Sequence, residues 1–543
     1  MKKRRAIRLA IGNLRPQLRL FTGVSLVLTC CQTQAFSFDL GDSDFTARWD
    51  NTLRYNVGMR TQKQDGLVDR AGGGAYDQSN AVFDRGDLVT NRLDLLSEFD
   101  LRYQQNYGLR VSAAAWYDDA YDGNAARTAN TSYSEYHYNS TVKRFYRGPS
   151  GEILDAYVFG TFDVIGRQTD VRLGQHSVIW GEGLFGNTNA ISYAQSPNDS
   201  RKATANPGAS AKETALPVNQ ISTIMLASDE LNIAAQYTFD WKPNRIPEGG
   251  TFYAGADNIL EGPDIWGYTS TGAPIYRGKD IKGHGGDYGL LLRWRPDWFD
   301  GTLGAVYRNF DEKSAWVSQA DALGLRHAVY AEDVDLYGLT LSTVLGGVSV
   351  GAELSYRQNM PLNSSGTVTR GDRLEGAKGS TIHGLLNGVM TLGDNLLSDS
   401  ASLSGELTWS HLDKVTSNPQ AYRAKGYNAG CASGGKMLGC SDDDFFGASV
   451  AFTPTWVQVF PSVDLSAPVF ISRNLSGNAP TNGGGSEGFT TYKVGISADA
   501  YARHKFDLAY TWYTQKTDTD RGLILGAPYK DKAVLSLTYQ TTY

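Results

Sequence analysis

The sequence lacks the long apolar runs from which helical membrane proteins are built. Beyond the N-terminal segment no run of about eighteen apolar residues occurs, and the mean hydropathy is negative. Methionine and cysteine are scarce, with 6 and 4 residues among 543, whereas Gly, Tyr, Phe and Trp number 60, 30, 21 and 11. Outer-membrane barrels use aromatic residues at the membrane interfaces and glycine in turns, so the composition favours that class.

Positive charge is also in short supply, and much of it lies at the N-terminus. Seven Lys and Arg residues, and no acidic residue, fall within residues 1–35, whose removal takes the formal net charge from −6 to −13. A basic region, a short apolar stretch over residues 20–29 and the small Ala35 predict a signal peptide cleaved before Phe36. An acidic mature chain argues against nucleic-acid binding.

Motifs of common enzymes and cofactor sites are absent as well. The seven histidines show no metal-ligand spacing, and neither GxSxG nor a P-loop occurs. Two GxGxxG matches, at residues 181–186 and 483–488, lack a surrounding βαβ unit. We therefore expect no catalytic residue, no cofactor and no metal ion, with residues 441–444 (SDDD) open to interpretation as a calcium-binding run or a solvated acidic loop.

What the chain does contain is the alternation of β-strands. In residues 45–60, FTARWDNTLRYNVGMR, apolar side chains occupy one face and Arg48, Asp50 and Arg54 occupy the other. The run exceeds the roughly five or six residues of a globular strand and is long enough to cross a membrane at a tilt. The same alternation recurs to Tyr543.

Short and long connections between these strands alternate along the chain, as they do in outer-membrane barrels. Eight short turns join eight pairs of strands, and the first and last strands bring the number to 18. Sixteen is the alternative, because residues 380–392 and 462–470 are weak strands. We predict an all-β fold, a transmembrane antiparallel β-barrel over residues 36–543 in the outer membrane of a Gram-negative bacterium.

Two cysteines remain after removal of the signal peptide. Cys431 and Cys440 enclose the sequence ASGGKMLG. In an oxidising compartment we expect them to form a disulfide; a metal site is the alternative, although no histidine or third cysteine lies close.

The connection over residues 181–216 is rich in small and polar residues, which predicts either an exposed loop or a plug folded into the barrel lumen. A wide barrel must fill or hydrate its interior, and rows of opposite charge can anchor a plug. The charged residues proposed to meet there are, from the segment, Asp199, Arg201, Lys202, Lys212 and Glu213, and, from the wall, Arg48, Asp50, Arg54, Arg92, Asp94, Glu98 and Asp100.

Several segments resemble one proteobacterial outer-membrane family. They are FSFDLGDSDFTARWDNTLRYNVGMR, FDRGDLVTNRLDLLSEFD, VRLGQHSVIWGEGLF, YRQNMPL and GELTWSHLDKV. The family is catalogued as domain of unknown function number thirteen hundred and two. The resemblance implies a barrel with a plug-like segment after the WGE element. It also implies two partners, a periplasmic lipid-carrier-like protein and an inner-membrane exporter-type pump, and hence traffic of steroids, hydrocarbons or lipids.

The function predicted from these features is passive transport of hydrophobic or amphipathic small molecules, with cargo passing Trp180, Glu182 and Phe185. A diffusion porin for polar or anionic solutes is the first alternative. A structural or adhesive barrel is another. Membrane lipid and the barrel-assembly machinery, which reads an aromatic C-terminus such as Tyr543, are further expected partners.

An outer-membrane lipase is the alternative from the enzyme class. It would need a serine and a histidine that couple at the barrel rim. Ser410 and His411, like His176 and Ser177, are sequence neighbours, so the two side chains of each pair should point to opposite faces of a strand.

Overall fold

A computed structural model of the protein describes residues 36–39, 44–128, 131–185, 188–205, 211–258, 261–370 and 373–543. The predicted signal peptide, residues 1–35, lies outside the described residues. No helix within these described ranges is both long and apolar enough to cross a membrane.

Eighteen long strands form one closed antiparallel sheet. They are β1 (Phe45–Arg60), β2 (Leu88–Tyr103), β3 (Tyr107–Asp118), β4 (Ser150–Val164), β5 (Arg167–His176), β6 (Val218–Leu226), β7 (Leu231–Thr238), β8 (Tyr288–Trp294), β9 (Gly301–Phe310), β10 (Val334–Leu345), β11 (Val348–Pro361), β12 (Lys378–Leu392), β13 (Ser400–Ser417), β14 (Asp444–Phe460), β15 (Val463–Ser466 and Val469–Ser476), β16 (Thr490–Ala500), β17 (His504–Thr514) and β18 (Val534–Thr542). Each strand pairs with the next, and β18 pairs with β1 from Thr52 to Arg60, which closes the barrel.

The strand count and the wiring confirm the predicted 18-stranded barrel. Eight short turns and nine long connections alternate along the chain, as the sequence predicts. Of the two weak segments, residues 380–392 belong to a continuous strand, whereas β15 is divided before Val469. Pro468 causes the division, because proline has no N–H for the strand ladder. The short strand Phe36–Asp39 pairs with β1 ahead of the closing seam.

Burial in the barrel wall is the reverse of that in a water-soluble sheet. On the apolar face Trp49 and Leu93 are 41% and 45% exposed, whereas on the polar face Arg54 and Asp94 are only 3% and 5% exposed. Exposed apolar residues continue around the barrel: Val158, Leu173, Ile221, Leu290, Leu339, Leu354, Leu386, Leu407, Val450, Ile471, Ile496, Leu508 and Leu537. An apolar outside and a polar inside are expected of a barrel that is surrounded by lipid.

The long connections carry the remaining secondary structure. Short helices span Gly66–Arg70, Gln78–Val82, Ser140–Val142, Ser200–Ala205 and Ala211–Thr214, and single tighter or wider turns span Ala71–Gly73, Asp119–Tyr121, Ser134–Tyr136, Lys143–Arg147, Pro419–Ala421, Ala429–Cys431 and Lys436–Leu438. Small strand pairings involve Ile265–Tyr268, Pro274–Arg277 and Leu325–Arg326; Trp316–Val317 and Ala328–Val329; Val368–Arg370 and Arg373–Glu375; and Thr517–Asp518 and Leu523–Ile524.

Three of the long connections, residues 61–87, 119–149 and 239–287, pack together over one side of the barrel around buried aromatic rings. Phe83, Tyr121, Tyr133, Tyr138, Tyr146 and Phe252 form this cluster. The cluster gives these loops an apolar core of their own, so they are folded against one another on that side of the barrel end.

Candidate functional site

The candidate site is built on residues 177–217, which connect β5 to β6 and are called here the β5–β6 segment. Its first half, residues 178–195, and its second half, residues 197–216, contact different parts of the barrel wall. Asp199 and Leu216 donate backbone hydrogen bonds to the carbonyls of Thr214 and Pro197 (2.7 Å each), so the two ends of the second half lie side by side.

Glu353 on β11 holds the first half through its backbone. One carboxylate oxygen accepts the N–H groups of Glu182 and of Gly183, the latter at 3.1 Å, and the other accepts the N–H of Ile191 at 2.6 Å. The Glu353 side chain is buried among these donors. A carboxylate with three backbone donors is a strong anchor, because charge-assisted hydrogen bonds exceed neutral ones in strength.

Glu406 on β13 provides a second anchor of the same kind. Its two oxygens accept the N–H groups of Leu184 at 2.6 Å and Phe185 at 3.0 Å. The Phe185 ring lies 5.4 Å from the ring of Phe470 on β15. The predicted cargo-contact residue Phe185 is therefore fixed both by its backbone and by its ring.

Two buried arginines of the wall bind carbonyl groups of the same half. Arg308 on β9 donates to the carbonyls of Ile191 and Tyr193 (both 2.8 Å), and Arg357 on β11 donates to that of Ala190 (3.0 Å). The first half thus meets the wall with both its N–H and its C=O groups, as buried backbone requires.

Trp180 and its neighbours add an apolar contact to these hydrogen bonds. The Trp180 side chain is buried, and the backbone N–H of Trp180 donates to the side-chain oxygen of Gln195 at 2.7 Å. Trp180 belongs to a cluster that also contains Ile191, Tyr193, Ala194, Ala234, Leu291, Val306, Phe310, Val334, Leu336 and Met360. Glu182, between the two anchors, is half-buried, and burial raises its pKa, partly offset by Arg293.

The second half is held by its own charged side chains. Glu213 forms a bidentate ion pair with Arg54 on β1, at 3.0 and 3.1 Å, and both side chains are buried. Lys212 pairs with Glu98 on β2 at 3.0 Å, in a more exposed position. These are two of the contacts proposed from the sequence.

Asp199, Arg201 and Lys202 belong to a buried ionic cluster. Lys202 pairs with Glu152 on β4 at 3.1 Å, and Arg201 pairs with Glu248 at 2.6 Å. Burial alone would raise the pKa of Asp199, but Arg201 and the nearby Arg245 hold it below its ordinary value. At Glu248 burial prevails over Arg201 and raises the pKa to about 7.

The other proposed wall residues do not contact the β5–β6 segment through ion pairs within the part of the chain that the structure describes. They pair within the wall instead: Arg48 with Asp50 (2.7 Å), Arg92 with Asp94 (2.9 Å) and Asp100 with Arg110 (2.8 Å).

Sequence reasoning missed the residues that hold the first half, namely Gln236, Arg308, Glu353, Arg357, His383, Asn387 and Glu406. For Gln236, Glu353, Arg357 and Glu406 a signal was present, since these polar residues alternate with apolar ones along their predicted strands.

A cavity of about 400 Å³ remains between the first half of the segment and strands β13–β15. Phe185 and Asn189 line it on one side, and Thr408, Ser410 and Ser449 line it on the other. The cavity therefore adjoins Phe185, one of the predicted cargo-contact residues.

The predicted disulfide between Cys431 and Cys440 is present. The acidic run at residues 441–444 is engaged by protein groups, since Asp442 accepts the N–H of Asn478 and Asp444 binds His411.

Among the described residues the one cluster of three potential metal ligands is His284, Asp311 and Glu332, at the loop end of the barrel. Arg373 forms an ion pair with Glu332 there. Because an arginine already occupies this carboxylate, the cluster has the character of an ion-pair network.

The serine and histidine pairs considered for a lipase do not couple with each other in the structure. His411 bonds Asp444, and His176 bonds Ser222 on β6 at 2.7 Å, with its other ring nitrogen 3.0 Å from the Gly174 carbonyl. The His176 ring is oriented by a backbone carbonyl at this position, and its partner Ser222 was not anticipated from the sequence.

Several solved structures are similar in fold at low identity. OccAB4 of Acinetobacter baumannii is 8% identical with a TM-score of 0.43, over 92% of this chain and 98% of that one. OpdK of Pseudomonas aeruginosa, solved with vanillate, is 9% identical with a TM-score of 0.40 over the same shares. OmpT of Vibrio cholerae is 12% identical with a TM-score of 0.35, over 93% and 99%.

No curated protein matches the chain. One family model does, across residues 18–543, which is nearly the whole sequence. It is described as a protein of unknown function (DUF1302), the family whose segments the sequence resembles. The chain belongs to this family.

Proposed function

We propose that the protein is a passive channel in the outer membrane of a Gram-negative bacterium, with the β5–β6 segment as a plug in its lumen. The apolar exterior supports a lipid environment. The observation that carries the proposal is that buried residues as far apart in the closed sheet as Arg54 on β1 and Glu406 on β13 bind this one segment. A segment with partners on such distant strands would cross the lumen.

The proposed cargo is a hydrophobic or amphipathic small molecule. Trp180 and Ile191 are buried in an apolar cluster that packs the first half of the plug against the wall. Phe185 and Ser410, on the far side of that half, offer an aromatic ring and a hydroxyl to one cavity. Together this ring and this hydroxyl suit molecules that carry both apolar and polar groups.

Partners outside the chain belong to the same proposal. The barrel-assembly machinery would insert the protein, a periplasmic lipid-carrier protein would exchange cargo at the short-turn end, and an inner-membrane pump would set the direction of traffic. No catalytic role is proposed.

Replacement of residues 190–212 by a Gly/Ser linker of equal length tests the plug. We expect single-channel conductance in planar bilayers to rise severalfold, because the linker removes Arg201, Lys202 and Lys212 and with them their ion pairs with Glu248, Glu152 and Glu98. The matched control places the same linker at residues 418–440, a long connection on another side of the barrel. Unchanged conductance in the first variant, or an equal rise in both, would contradict the proposal.

A diffusion porin for polar or anionic solutes remains the second candidate. The hydroxyl-lined cavity beside the plug favours it, because Thr408, Ser410 and Ser449 are groups that solvate polar molecules. Liposome swelling separates the two. Rapid swelling in sugars and small carboxylates, without preference among them, would favour the porin over the selective channel.

A further inference from the structure

We propose that the cavity between the β5–β6 segment and strands β13–β15 binds a neutral, hydroxylated ring compound of the carbohydrate class. The proposal rests on the second candidate function, the channel for polar solutes, since it names the class of polar molecule held beside the plug. Its volume of about 400 Å³ lies within the range of small-molecule sites, roughly 300–1,000 Å³.

The polar part of the lining consists of hydroxyl and amide groups. Thr408 and Ser410 on β13, Ser449 on β14 and Asn474 on β15 contribute it, together with Asn189 of the segment. Hydroxyls donate and accept, and amides present both functions side by side. Such a surface matches a ligand that also alternates donors and acceptors, as the ring hydroxyls of a sugar do.

One lining hydroxyl is left without a partner by the protein. The Thr481 Oγ1 atom is buried and has no hydrogen bond among the described residues. A buried polar group without a partner costs about 1–3 kcal/mol, so the site gains from a ligand that supplies one. A purely apolar ligand would leave this cost in place.

The described part of the lining offers no charged side chain that could bind an ionic ligand. Arg473 is the charged residue there, but it alternates along β15 with Ser472 and Asn474 and is exposed on the opposite face of the strand. The carboxylate of Glu406, in the same wall, is occupied by the N–H groups of Leu184 and Phe185. An anionic or cationic ligand would lose its hydration without gaining a counterion.

Two aromatic rings also border the cavity. Phe185 and Phe445 both border the cavity, and Phe185 is held against Phe470 at 5.4 Å between ring centroids. A pyranose ring has an apolar C–H face that packs on such rings while its hydroxyls reach the edges of the site. Aromatic faces next to Ser, Thr and Asn therefore favour a sugar ring over a linear polar solute.

The test is a binding measurement on the full-length protein, purified in an amine-oxide detergent because sugar-based detergents would compete. The probes are methyl glucoside and methyl glucuronide, which share a ring and differ by one carboxylate. Titration calorimetry should show saturable binding of the glucoside, and weaker binding of the glucuronide. The double variant Thr408→Val, Ser410→Ala should weaken glucoside binding about fivefold to fiftyfold, as expected for two lost hydrogen bonds.

The matched control is Ser402→Ala, an inner-face serine of the same strand β13 that lies outside the cavity lining; it should bind the glucoside like the wild type. Should the double variant fail to fold, as judged by heat-modifiable electrophoretic mobility, Phe185→Ala replaces it, with an expected loss of about tenfold. No saturable glucoside binding, equal binding by the cavity variant, or tighter glucuronide binding would each overturn the carbohydrate site. None of these results depends on conductance, so the plug proposal is judged separately by its linker variant.

Discussion

The two halves of the β5–β6 segment are held by opposite chemistry. In the first half, side chains of the wall, chiefly Glu353 and Glu406, bind the backbone of the segment. In the second half, side chains of the segment, such as Glu213, bind side chains of the wall. The first half is therefore positioned by side chains of the wall, whereas the second half is positioned by its own charged side chains.

This difference has a mechanical consequence for a plug. Backbone contacts through carboxylates do not depend on the identity of the segment residues that they hold. The first half could therefore vary at its cargo-facing side chains, including Phe185, without losing its anchors. The second half cannot vary in this way, because Arg54 loses its partner when Glu213 changes.

The largest effect is expected from removal of both wall carboxylates, as Glu353→Ala with Glu406→Ala. Five backbone N–H groups would lose their acceptors, at a cost of about 1–3 kcal/mol for each one that stays buried. The first half should detach, so single-channel conductance should rise severalfold and the thermal midpoint should fall.

Asp118→Ala is the matched control for this variant. Asp118 is a buried carboxylate of β3 that accepts the N–H groups of Asn91 and Ala120, away from the segment. Its loss should lower the thermal midpoint and leave conductance unchanged. If both variants conduct alike, the anchors of the first half do not constrict the pore, and the comparison between the halves fails.

A smaller effect is expected from the buried pair of the second half. Arg54→Ala or Glu213→Ala alone should cost about 3–5 kcal/mol, because each leaves a buried charge unpaired. The pair of Arg48 and Asp50 on the same strand β1, in which the arginine is exposed, is the control and should contribute about 0–1 kcal/mol. Double-mutant cycles from chemical denaturation measure both. Equal coupling energies would show that the second half is not anchored by charge.

The two halves also differ in how well their contacts with the wall could be predicted from the sequence. The barrel, its 18 strands and its turns follow from alternation, which is local and repeats many times. The contacts of Arg54 and Glu98 with the segment were foreseeable because opposite charges stand on both sides. Glu353 could be placed on the inner face of β11. Its role as an acceptor for the segment could not be foreseen, because every residue except proline has a backbone N–H and the sequence does not show which of them face a carboxylate. The Ser222 contact of His176 depends on strand register, which local pattern does not fix.

The protonation of Glu248 distinguishes the halves further, because only the second half contacts it through Arg201. Burial raises the pKa of Glu248 to about 7, above its ordinary 4.5. A carboxyl group of this kind stabilises the fold below its unfolded pKa, and the contribution is lost as the pH rises through about 7. The denaturation midpoint should therefore fall from pH 5 to pH 8, and less steeply in Glu248→Gln.

Asp257 supplies the control for this pH profile. Burial raises its pKa to about 7 as well, and it accepts the N–H of Gln78 rather than touching the segment. Asp257→Asn should reduce the slope in the same direction. The two variants should differ in one respect, since conductance should change with pH less in Glu248→Gln than in Asp257→Asn. Identical conductance profiles would show that the protonation of Glu248 does not affect the plug.

The smallest effect is expected where the first half contacts the wall through van der Waals packing alone. A Cβ atom at Gly338 of β10 would lie 2.7 Å from the tip of Ile191, whereas at Gly405 of β13 it would meet nothing nearer than 3.8 Å. Gly338→Ala should therefore cost about 1 kcal/mol, and Gly405→Ala close to nothing, in thermal unfolding. Because the clash involves the end of a flexible side chain, Ile191→Val should relieve part of it in the double variant. A cost at Gly338 that persists with Ile191→Val would arise from the strand itself, and the hydrogen bonds of Glu353 and Glu406 would then be sufficient to seat the first half.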